Sequence, residues 1–199
     1  MSNRQAILAK LRAAQPAPRP LPMVPLFDHN LPPALMTFKQ SLALIGGTWV
    51  DAPADGDIEA AIRARFPTAQ VICSAVDEVR GSRRIEDVAD PHDLFDVDVA
   101  VVRPAFAVAE TASIWLSEAE YRVNSLGYLA QHLVALLDLD DIVGNLHHAY
   151  HRAEFHRANY AVLMSGPSAT ADIEGVLIRG AQGVRSLTVM PVRRGRDCE

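Results

Sequence analysis

The chain of 199 residues contains only two cysteines, Cys73 and Cys198. Neither stands at the spacing from a second cysteine or histidine that zinc sites, redox motifs or iron–sulfur clusters use. We therefore expect no metal site and no iron–sulfur cluster built from this chain alone. Cys73 ends the apolar run Val71-Ile72-Cys73, and we expect it to be a small buried side chain.

The sequence also lacks a basic excess and a long apolar segment. Its net charge is −5 at pH 7, which argues against binding to a nucleic-acid backbone. Two local groups of arginines, at residues 80–84 and 193–196, are interpreted as a solvated loop and a frayed tail. No run of 18 apolar residues is present to span a membrane, and the first residues lack the apolar core of a signal peptide. These features predict a soluble, cytoplasmic protein.

The sequence predicts that residues 1–27 form an N-terminal arm and that residues 28–199 form one domain of ordinary size. Residues 2–14 form an amphipathic helix in this interpretation, with Ile7, Leu8 and Leu11 on one face. Five prolines between residues 16 and 25 forbid a helix and favour an extended linker. The arm either docks on the body or reaches a second copy, which would make the protein a homo-oligomer.

Helical and strand patterns alternate along the rest of the chain. Helices are predicted at residues 32–45, 58–66 with Asp57 as its cap, 138–156 and 171–178. Strands are predicted at residues 48–50, 70–74, 97–102, 113–117, 132–137, 159–165 and 187–192, with mostly loop from 77 to 93. The alternation predicts an α/β fold with a layered, mainly parallel sheet and helices on both faces.

The segment Ser165–Glu174 is the first candidate site, since it joins a predicted buried strand to a predicted helix. In open α/β sheets, ligands bind where strands end, facing loop amides and helix N-termini. Gly166 permits a close backbone approach, and hydroxyl and carboxylate groups follow it. One interpretation is a site for an anionic or carbonyl ligand, and the other is a well-capped helix start. The polar side chains concerned are Ser165, Ser168, Thr170, Asp172 and Glu174.

Glu110 is the second candidate, because it lies at a loop-to-strand junction between small residues in Val108–Ser113. A carboxylate there could act as a base or a nucleophile, or be an exposed loop side chain. Arg185, after the glycine-punctuated turn 180–183, could bind an anion or simply follow a helix cap.

Four histidines crowd one segment, at positions 147, 148, 151 and 156. His147 and His151 have the i, i+4 spacing of metal-binding pairs. No cysteine or carboxylate obviously completes a site, so no metal is predicted. His132 is interpreted as a satisfied core or interface histidine.

Several of these segments resemble the LUD-domain family, also described as lactate-utilisation protein C-like. The resemblance rests on Ser165–Glu174, continuing through Gly180, Gly183 and Arg185 to Leu187–Val189, and on Ala109–Thr111. It implies a fold like that of ribose-5-phosphate isomerases, glucosamine-phosphate deaminases and CoA transferases. Glu110 resembles the catalytic glutamate of the CoA-transferase loop, which makes it the candidate catalytic residue. The candidate ligand-binding residues are Thr111, Ser165, Gly166, Pro167, Ser168, Thr170, Asp172, Glu174, Gly183 and Arg185.

Members of this family act with iron–sulfur partner proteins in oxidising L-lactate. The resemblance therefore implies an accessory subunit that binds a small anionic ligand or a partner protein, with the clusters in its partners and no cofactor of its own. The alternatives are a stand-alone acyl-CoA or sugar-phosphate enzyme that uses Glu110, and a metabolite-sensing binding module. The sequence departs from the family pattern at four positions, where glycine, a basic residue, histidine and proline are usual: Ala112, Ala169, Gln182 and Val184.

Overall fold

The computed structural model describes residues 3–172 and 174–195. Its helices are α1 (Asn3–Ala13), α2 (Ala34–Leu44), α3 (Ile58–Arg65), α4 (Glu118–Tyr121), α5 (Leu126–Leu129), α6 (Leu146–Tyr150) and α7 (Ala153–Arg157). Its strands are β1 (Thr48–Trp49), β2 (Ile72–Ser74), β3 (Arg83–Arg84), β4 (Val99–Val102), β5 (Phe106–Val108), β6 (Ser113–Ser117), β7 (His132–Leu137), β8 (Ile142–Val143), β9 (Ala161–Ser165), β10 (Ala169–Thr170), β11 (Ile178–Arg179) and β12 (Ser186–Pro191). Within the described residues, no helix has the length and apolar character needed to cross a membrane.

Six parallel strands form the central sheet in the order β1-β12-β7-β4-β2-β3. All four residues of β4 are buried, and so are five of the six in β7. Continuous apolar strands of this kind are typical of parallel sheets covered on both faces. The predicted α/β fold with a mainly parallel sheet is confirmed.

The two faces of the central sheet are covered by different layers. On one face, alternate strand residues pack against Phe38 and Leu42 of α2 and against Ile114 and Leu116 of β6. On the other face, the intervening residues pack against Ile58 and Ile62 of α3. Helices therefore lie on both faces, as predicted, but a second sheet shares one face with α2.

This second sheet has four strands in the order β8-β5-β6-β9. β5 pairs antiparallel with β6, β6 pairs antiparallel with β9, and β8 runs parallel to β5. The register places Ser113, at the start of β6, opposite Ser165, at the end of β9. One end of this sheet thus gathers the end of β5, the start of β6 and the end of β9.

The helix predicted at residues 138–156 is wrong. Asp138 instead caps a single 3₁₀ turn at Leu139–Asp141, which leads into β8. The side chain of Asn145 then caps α6 by accepting a hydrogen bond from the His148 N–H at 3.0 Å. The helix was predicted from an apolar stripe with helical spacing, formed by Leu139, Ile142, Val143, Leu146, Tyr150 and Ala153. Pairing of β8 with β5 and a new cap after Gly144 override that local pattern.

The helix predicted at residues 171–178 is also wrong. β10 and β11 pair antiparallel on either side of this segment. Glu174 and Gly175 have positive φ angles of 53° and 70°, which turn the chain and are incompatible with a continuous right-handed helix. Residue 173 lies outside the described residues.

The two arginine-rich segments are held more firmly than the predicted solvated loop and frayed tail. Arg83 pairs with Asp96 at 2.8 Å within a region predicted to be mostly loop. Arg84 donates to the carbonyl of Val79 at 3.2 Å, and Arg194 donates to that of Pro104 at 2.8 Å. These interpretations were therefore wrong at Arg83, Arg84 and Arg194, while residue 196 lies outside the described residues.

The N-terminal arm forms the predicted helix, α1, followed by an extended linker. No residue of α1 is buried, and Ile7 and Leu11 each remain 60% exposed. The domain boundary after residue 27 and a homo-oligomer formed through the arm both stay predictions.

Glu118, the first residue of α4, ties the end of β6 to the start of β9. Its carboxylate accepts hydrogen bonds from the N–H groups of Asn159 at 2.8 Å and Tyr160 at 3.0 Å. The bond from the Asn159 backbone, followed by those from its own N–H and from Tyr160, lowers the pKa of Glu118 to about 2.

We predict that Glu118→Gln reduces the acid sensitivity of the fold. The pKa of Glu118 is lower in the folded chain than in the unfolded chain. Its stabilising contribution is therefore present above its ordinary pKa of 4.5 and is lost as the pH falls towards about 2. Urea unfolding across this pH interval should show a flatter loss of the free energy of unfolding in the variant. Glu174→Gln, which changes an exposed carboxylate, is the control. Identical pH profiles for Glu118→Gln and the wild type would contradict the prediction.

Candidate functional site

Glu110 lies in the tight turn that joins β5 to β6. The turn is held to the segment after β8, because the N–H groups of Ala109 and Glu110 donate to the carbonyls of Val143 at 2.8 Å and Gly144 at 3.1 Å. Ala112 closes the turn with a φ of 49°, in the region that favours glycine. The alanine that stands where the family pattern has glycine therefore keeps a glycine-like backbone.

The Glu110 side chain lies between the turn and the start of α6. Its Oε2 accepts a hydrogen bond from the Leu146 N–H at 3.2 Å, and its backbone carbonyl accepts one from the Ser41 hydroxyl at 3.2 Å. Glu110 is exposed, and within the described part of the chain its Oε1 has no hydrogen-bond partner. One carboxylate oxygen is thus fixed while the other is available to a ligand.

A cavity of about 420 Å³ opens beside Glu110. Mostly apolar groups form its walls, and Glu110 and His147 are the titratable side chains among them. No lysine or arginine lines this cavity within the described residues. Its lining consists of Phe27, Leu31, Pro32, Thr37, Ala109, Glu110, Gly144, Asn145 and His147.

The end of the N-terminal linker and the residues after it form one wall of this cavity, here called its roof, through Phe27, Leu31 and Pro32. Asn145 donates from Nδ2 to the carbonyls of Leu26 at 2.8 Å and Phe27 at 3.3 Å. The Phe27 ring lies 4.7 Å from the His147 ring. Sequence reasoning missed Phe27 and Asn145, and it noted His147 only as a member of the histidine cluster. The available signal was the Gly144-Asn145 pair, which marks a turn and a helix cap, but the apolar stripe on either side concealed it.

A line of hydroxyls connects the two segments singled out from the sequence. The Thr111 and Ser113 hydroxyl oxygens lie 2.6 Å apart, and Ser113 is hydrogen-bonded in turn to the Ser165 hydroxyl. The structure therefore brings Glu110–Thr111 and Ser165 to the same end of the second sheet. Glu110 and Ser165 line different cavities, however, Thr111 lines neither of them, and the three residues do not form one pocket. A cavity of about 220 Å³ is lined by Gly127, Tyr128, Met164, Ser165, Gly166, Pro167, Ser168, Gln182, Gly183 and Val184.

The loop after β9 lies at the edge where the parallel strands begin. The Ser168 N–H donates to the Val184 carbonyl at 2.9 Å, just before β12. A Cβ atom on Gly166 would lie 2.9 Å from the carbonyl oxygen of Ile45, just before β1. The rule that ligands bind at the carboxyl ends of parallel strands therefore does not apply to this loop. Its close packing explains the need for Gly166 without a ligand.

The remaining candidate residues are used locally or face solvent. The Thr170 hydroxyl accepts a hydrogen bond from the Asp172 N–H at 3.2 Å. Asp172, Glu174 and Arg185 are exposed and line neither of these two cavities. The first candidate segment is therefore spread over a packed loop and an exposed hairpin.

His132 is a satisfied histidine, as expected. Its Nδ1 lies 2.8 Å from the Ser186 hydroxyl, and its ring stacks on Phe66 with 4.8 Å between centroids. Burial, followed by the charge of Arg185, lowers its pKa.

The crowded histidines are separated by the fold. His147 faces the Glu110 cavity, while His156 lies 2.7 Å from the Tyr150 carbonyl through its Nε2. Throughout residues 3–172 and 174–195, no group of three or more histidine, cysteine, aspartate or glutamate side chains is placed to hold a metal ion.

Comparison with known proteins places the chain in a family. The model of the LUD domain matches residues 59–191, which is more than half of the chain. The chain belongs to the LUD-domain family. This family is linked to lactate utilisation. The matched range contains Glu110 and the loop after β9, whereas the roof of the Glu110 cavity comes from residues that precede it.

A solved structure shares the fold of this LUD-domain protein. It is a DUF162-family protein from Deinococcus radiodurans, with 17% sequence identity and a TM-score of 0.60. The similarity covers 80% of this chain and 96% of that chain. No curated protein sequence gives a significant match.

We predict that Asn145→Asp releases the linker from the Glu110 cavity. The aspartate keeps the oxygen that caps α6 but loses the two N–H donors to the carbonyls of Leu26 and Phe27. Loss of such a partner costs about 1–3 kcal/mol, which corresponds to an increase in linker opening of roughly fivefold to a hundredfold. Chymotrypsin cleavage after Phe27, followed by mass spectrometry, should accelerate accordingly.

Asn30→Asp is the matched control, since it makes the same chemical change three residues after Phe27 and Asn30 is exposed. Its positive φ of 61° is tolerated by both asparagine and aspartate. Equal cleavage rates in Asn145→Asp and Asn30→Asp would show that Asn145 does not hold the linker.

Proposed function

We propose that this LUD-domain chain is an accessory subunit of an iron–sulfur oxidoreductase system that uses L-lactate or a similar hydroxy acid. The observation that carries this proposal is the family match over residues 59–191, because the family is linked to lactate utilisation. Iron–sulfur clusters commonly take four cysteine ligands, and this sequence has two cysteines. Burial also raises the pKa of the Cys73 thiol to about 11, which disfavours the thiolate that a cluster needs. The clusters of the proposed system would therefore lie in its partners.

In this proposal the Glu110 cavity receives a segment of a partner or a neutral ligand. Its walls offer apolar surface, a carboxylate oxygen of Glu110 that can accept a hydrogen bond, and no arginine or lysine among the described lining residues. A hydroxy-acid anion would meet a like charge there without a compensating cation. A hydrogen-bond donor on an apolar group fits these walls better.

Anaerobic affinity purification of the tagged full chain from its native cells tests the accessory role. We expect the eluate to carry cysteine-rich partners with iron–sulfur absorbance and to reduce a dye when L-lactate is added. Glu110→Gln should weaken partner recovery, while Asp51→Asn, at an exposed side chain outside the cavity, should not. A colourless eluate without such partners and without lactate-dependent reduction would contradict the proposal.

A stand-alone enzyme is the second candidate, and the free Oε1 of Glu110 at the cavity wall favours it. In this role Glu110 would act as a base or nucleophile on an acyl-CoA or a sugar phosphate. Turnover by the purified chain should then fall by roughly 10²–10⁴-fold in Glu110→Gln. If the purified chain turns over no member of either substrate class, this candidate is discarded. Saturable binding that raises the melting temperature without turnover would favour the metabolite-sensing module.

A further inference from the structure

A cavity of about 670 Å³ opens at the carboxyl edge of the central sheet. One wall is the segment that follows β2, from Ala75 to Glu78, and another is Arg103, directly after β4. Arg194, just beyond β12, also contributes. The cavity thus lies at the carboxyl ends of the parallel strands, whereas the loop after β9 lies at their amino ends.

The strand order makes this position a switch point. The strands β2 and β4 are neighbours in the sheet. β2 has β3 on its other side, and β4 has β7 on its other side, so the chain leaves these two strands in opposite directions. In open α/β sheets, ligands bind in the crevice at such a point. Topology and cavity therefore indicate the same place.

The cavity is separate from the Glu110 site. Its third wall is formed by Ala119 and Glu120 of α4 and by Arg122, which follows this helix. The helix α4 directly follows the end of β6. Glu110 precedes the start of β6. The two sites therefore lie at opposite ends of this buried strand, and one can be changed without touching the other.

Arg122 is held at the cavity by a strained turn. Its φ and ψ are 61° and −49°, and the Val123 N–H donates to the Tyr121 carbonyl at 2.7 Å across it. This is a γ-turn of the rarer, positive-φ kind, which is strained for any residue with a side chain. Strain of this sort persists where the surroundings impose it, and it clusters at functional sites. The side chain of Tyr121, which directly precedes Arg122, is fully buried and anchors the turn in the core.

The guanidinium of Arg122 is also the free cation of this cavity. Within the described residues, its side chain has no hydrogen bond and no ion pair. Arg103, in contrast, pairs with Glu78 and donates to the Val192 carbonyl at 2.8 Å. Arg194 donates to the Pro104 carbonyl at 2.8 Å. Among the described residues, two fixed cations and one free cation thus face the same space, together with the carboxylates of Asp77, Glu78, Glu86 and Glu120.

Two of these carboxylates can supply acceptors to a ligand. Asp77 and Glu86 are exposed and both pair with Arg84, at 3.2 Å and 3.3 Å. Each carboxylate has several lone pairs, so further hydrogen bonds can be accepted. A ligand in the cavity would therefore meet the free guanidinium of Arg122 and the oxygen acceptors of Asp77 and Glu86.

We propose that the carboxyl-edge cavity binds a hydroxylated organic anion. Its carboxylate or phosphate would pair with Arg122, because a guanidinium forms bidentate hydrogen bonds with such groups. Its hydroxyls would donate to Asp77 and Glu86. The volume lies within the range of small-molecule sites and suits a polyol chain of several carbons. This site goes beyond the accessory function and does not depend on it.

Calorimetric titration of the purified full chain tests the proposal with three probes of one carbon skeleton and with inorganic phosphate. D-gluconate carries a carboxylate, D-sorbitol 6-phosphate carries a phosphate, and D-sorbitol carries neither. We expect saturable binding of at least one anion and none of D-sorbitol, and the stronger of the two identifies the anionic group. Absence of binding by both anions in the millimolar range would overturn the proposal, as would equal binding of inorganic phosphate and D-sorbitol 6-phosphate with no D-gluconate binding.

Two variants of Arg122 separate binding from folding. Arg122→Gln should weaken binding by about tenfold or more, because it removes a charge-assisted pair. Arg122→Gly should abolish binding while raising the melting temperature, because glycine accommodates the positive φ. Arg157→Gln, in α7 and outside the cavity, should bind like the wild type. Unchanged affinity in both Arg122 variants would overturn the assignment. The assay uses the chain alone, so its outcome is independent of any partner recovered by affinity purification.

Discussion

A parallel sheet has to be covered on both faces, and the covering of one face by β6 and α2 determines where the candidate sites lie. On that face β6 packs beside α2 and carries β5 and β9 on its flanks. All five residues of β6 are buried, so the strand cannot shift without breaking the core. Its two ends are therefore fixed points at the surface. Glu110 and the hydroxyl line lie at one end, and Arg122 at the other.

The same buried strand explains where backbone strain is found. Ala112 precedes β6 with a φ of 49°, and Arg122 follows α4 with a φ of 61°. Each costs of the order of 1–3 kcal/mol, which the burial of a few apolar side chains offsets. At Ala112 the strain shapes the turn that presents Glu110. At Arg122 it holds a free guanidinium at a cavity, where a relaxed backbone would direct the side chain elsewhere.

The sequence was informative where burial alone decides structure. β4 and β7 are continuous apolar runs, and such runs are strands in the middle of a covered sheet. Asp57 was identified as the cap of α3, since its carboxylate accepts a hydrogen bond from the Ala60 N–H at 2.9 Å. The pattern failed at residues 138–156 because helical spacing of Leu139, Ile142 and Val143 also suits a short strand and two short helices packed on a sheet. Sequence spacing cannot reveal that β8 finds a partner in β5.

The candidate site was recoverable only in part, for a related reason. Glu110 and Ser165 were each visible as polar residues beside buried strands, and the antiparallel register of β6 with β9 brought their segments together. Which edge of the central sheet a loop occupies depends on strand order, and no local signal encodes it. The loop after β9 therefore resembled a ligand-binding turn while lying at the amino edge. Arg122, in contrast, carried no recognisable motif, because a γ-turn centred on arginine is visible only in the backbone angles.

Electrostatics decides which of the cavities suits an anion. Two unit charges of like sign 4 Å apart interact by about 4 kcal/mol at an effective dielectric constant near 20. An anion beside Glu110 would bear a cost of this order, since the described lining there holds no arginine or lysine to oppose it. The cavity lined by the loop after β9 likewise has no arginine or lysine among its described residues. At the carboxyl edge, three guanidinium groups and four carboxylates line the cavity among the described residues. Contacts within the chain already occupy Arg103, Arg194 and each carboxylate, since Asp77 and Glu86 pair with Arg84, Glu78 pairs with Arg103, and Glu120 accepts a hydrogen bond from Ser117. An anion bound there gains a partner at Arg122 without breaking an existing pair, and this unpaired cation is what distinguishes the carboxyl-edge cavity from the other two.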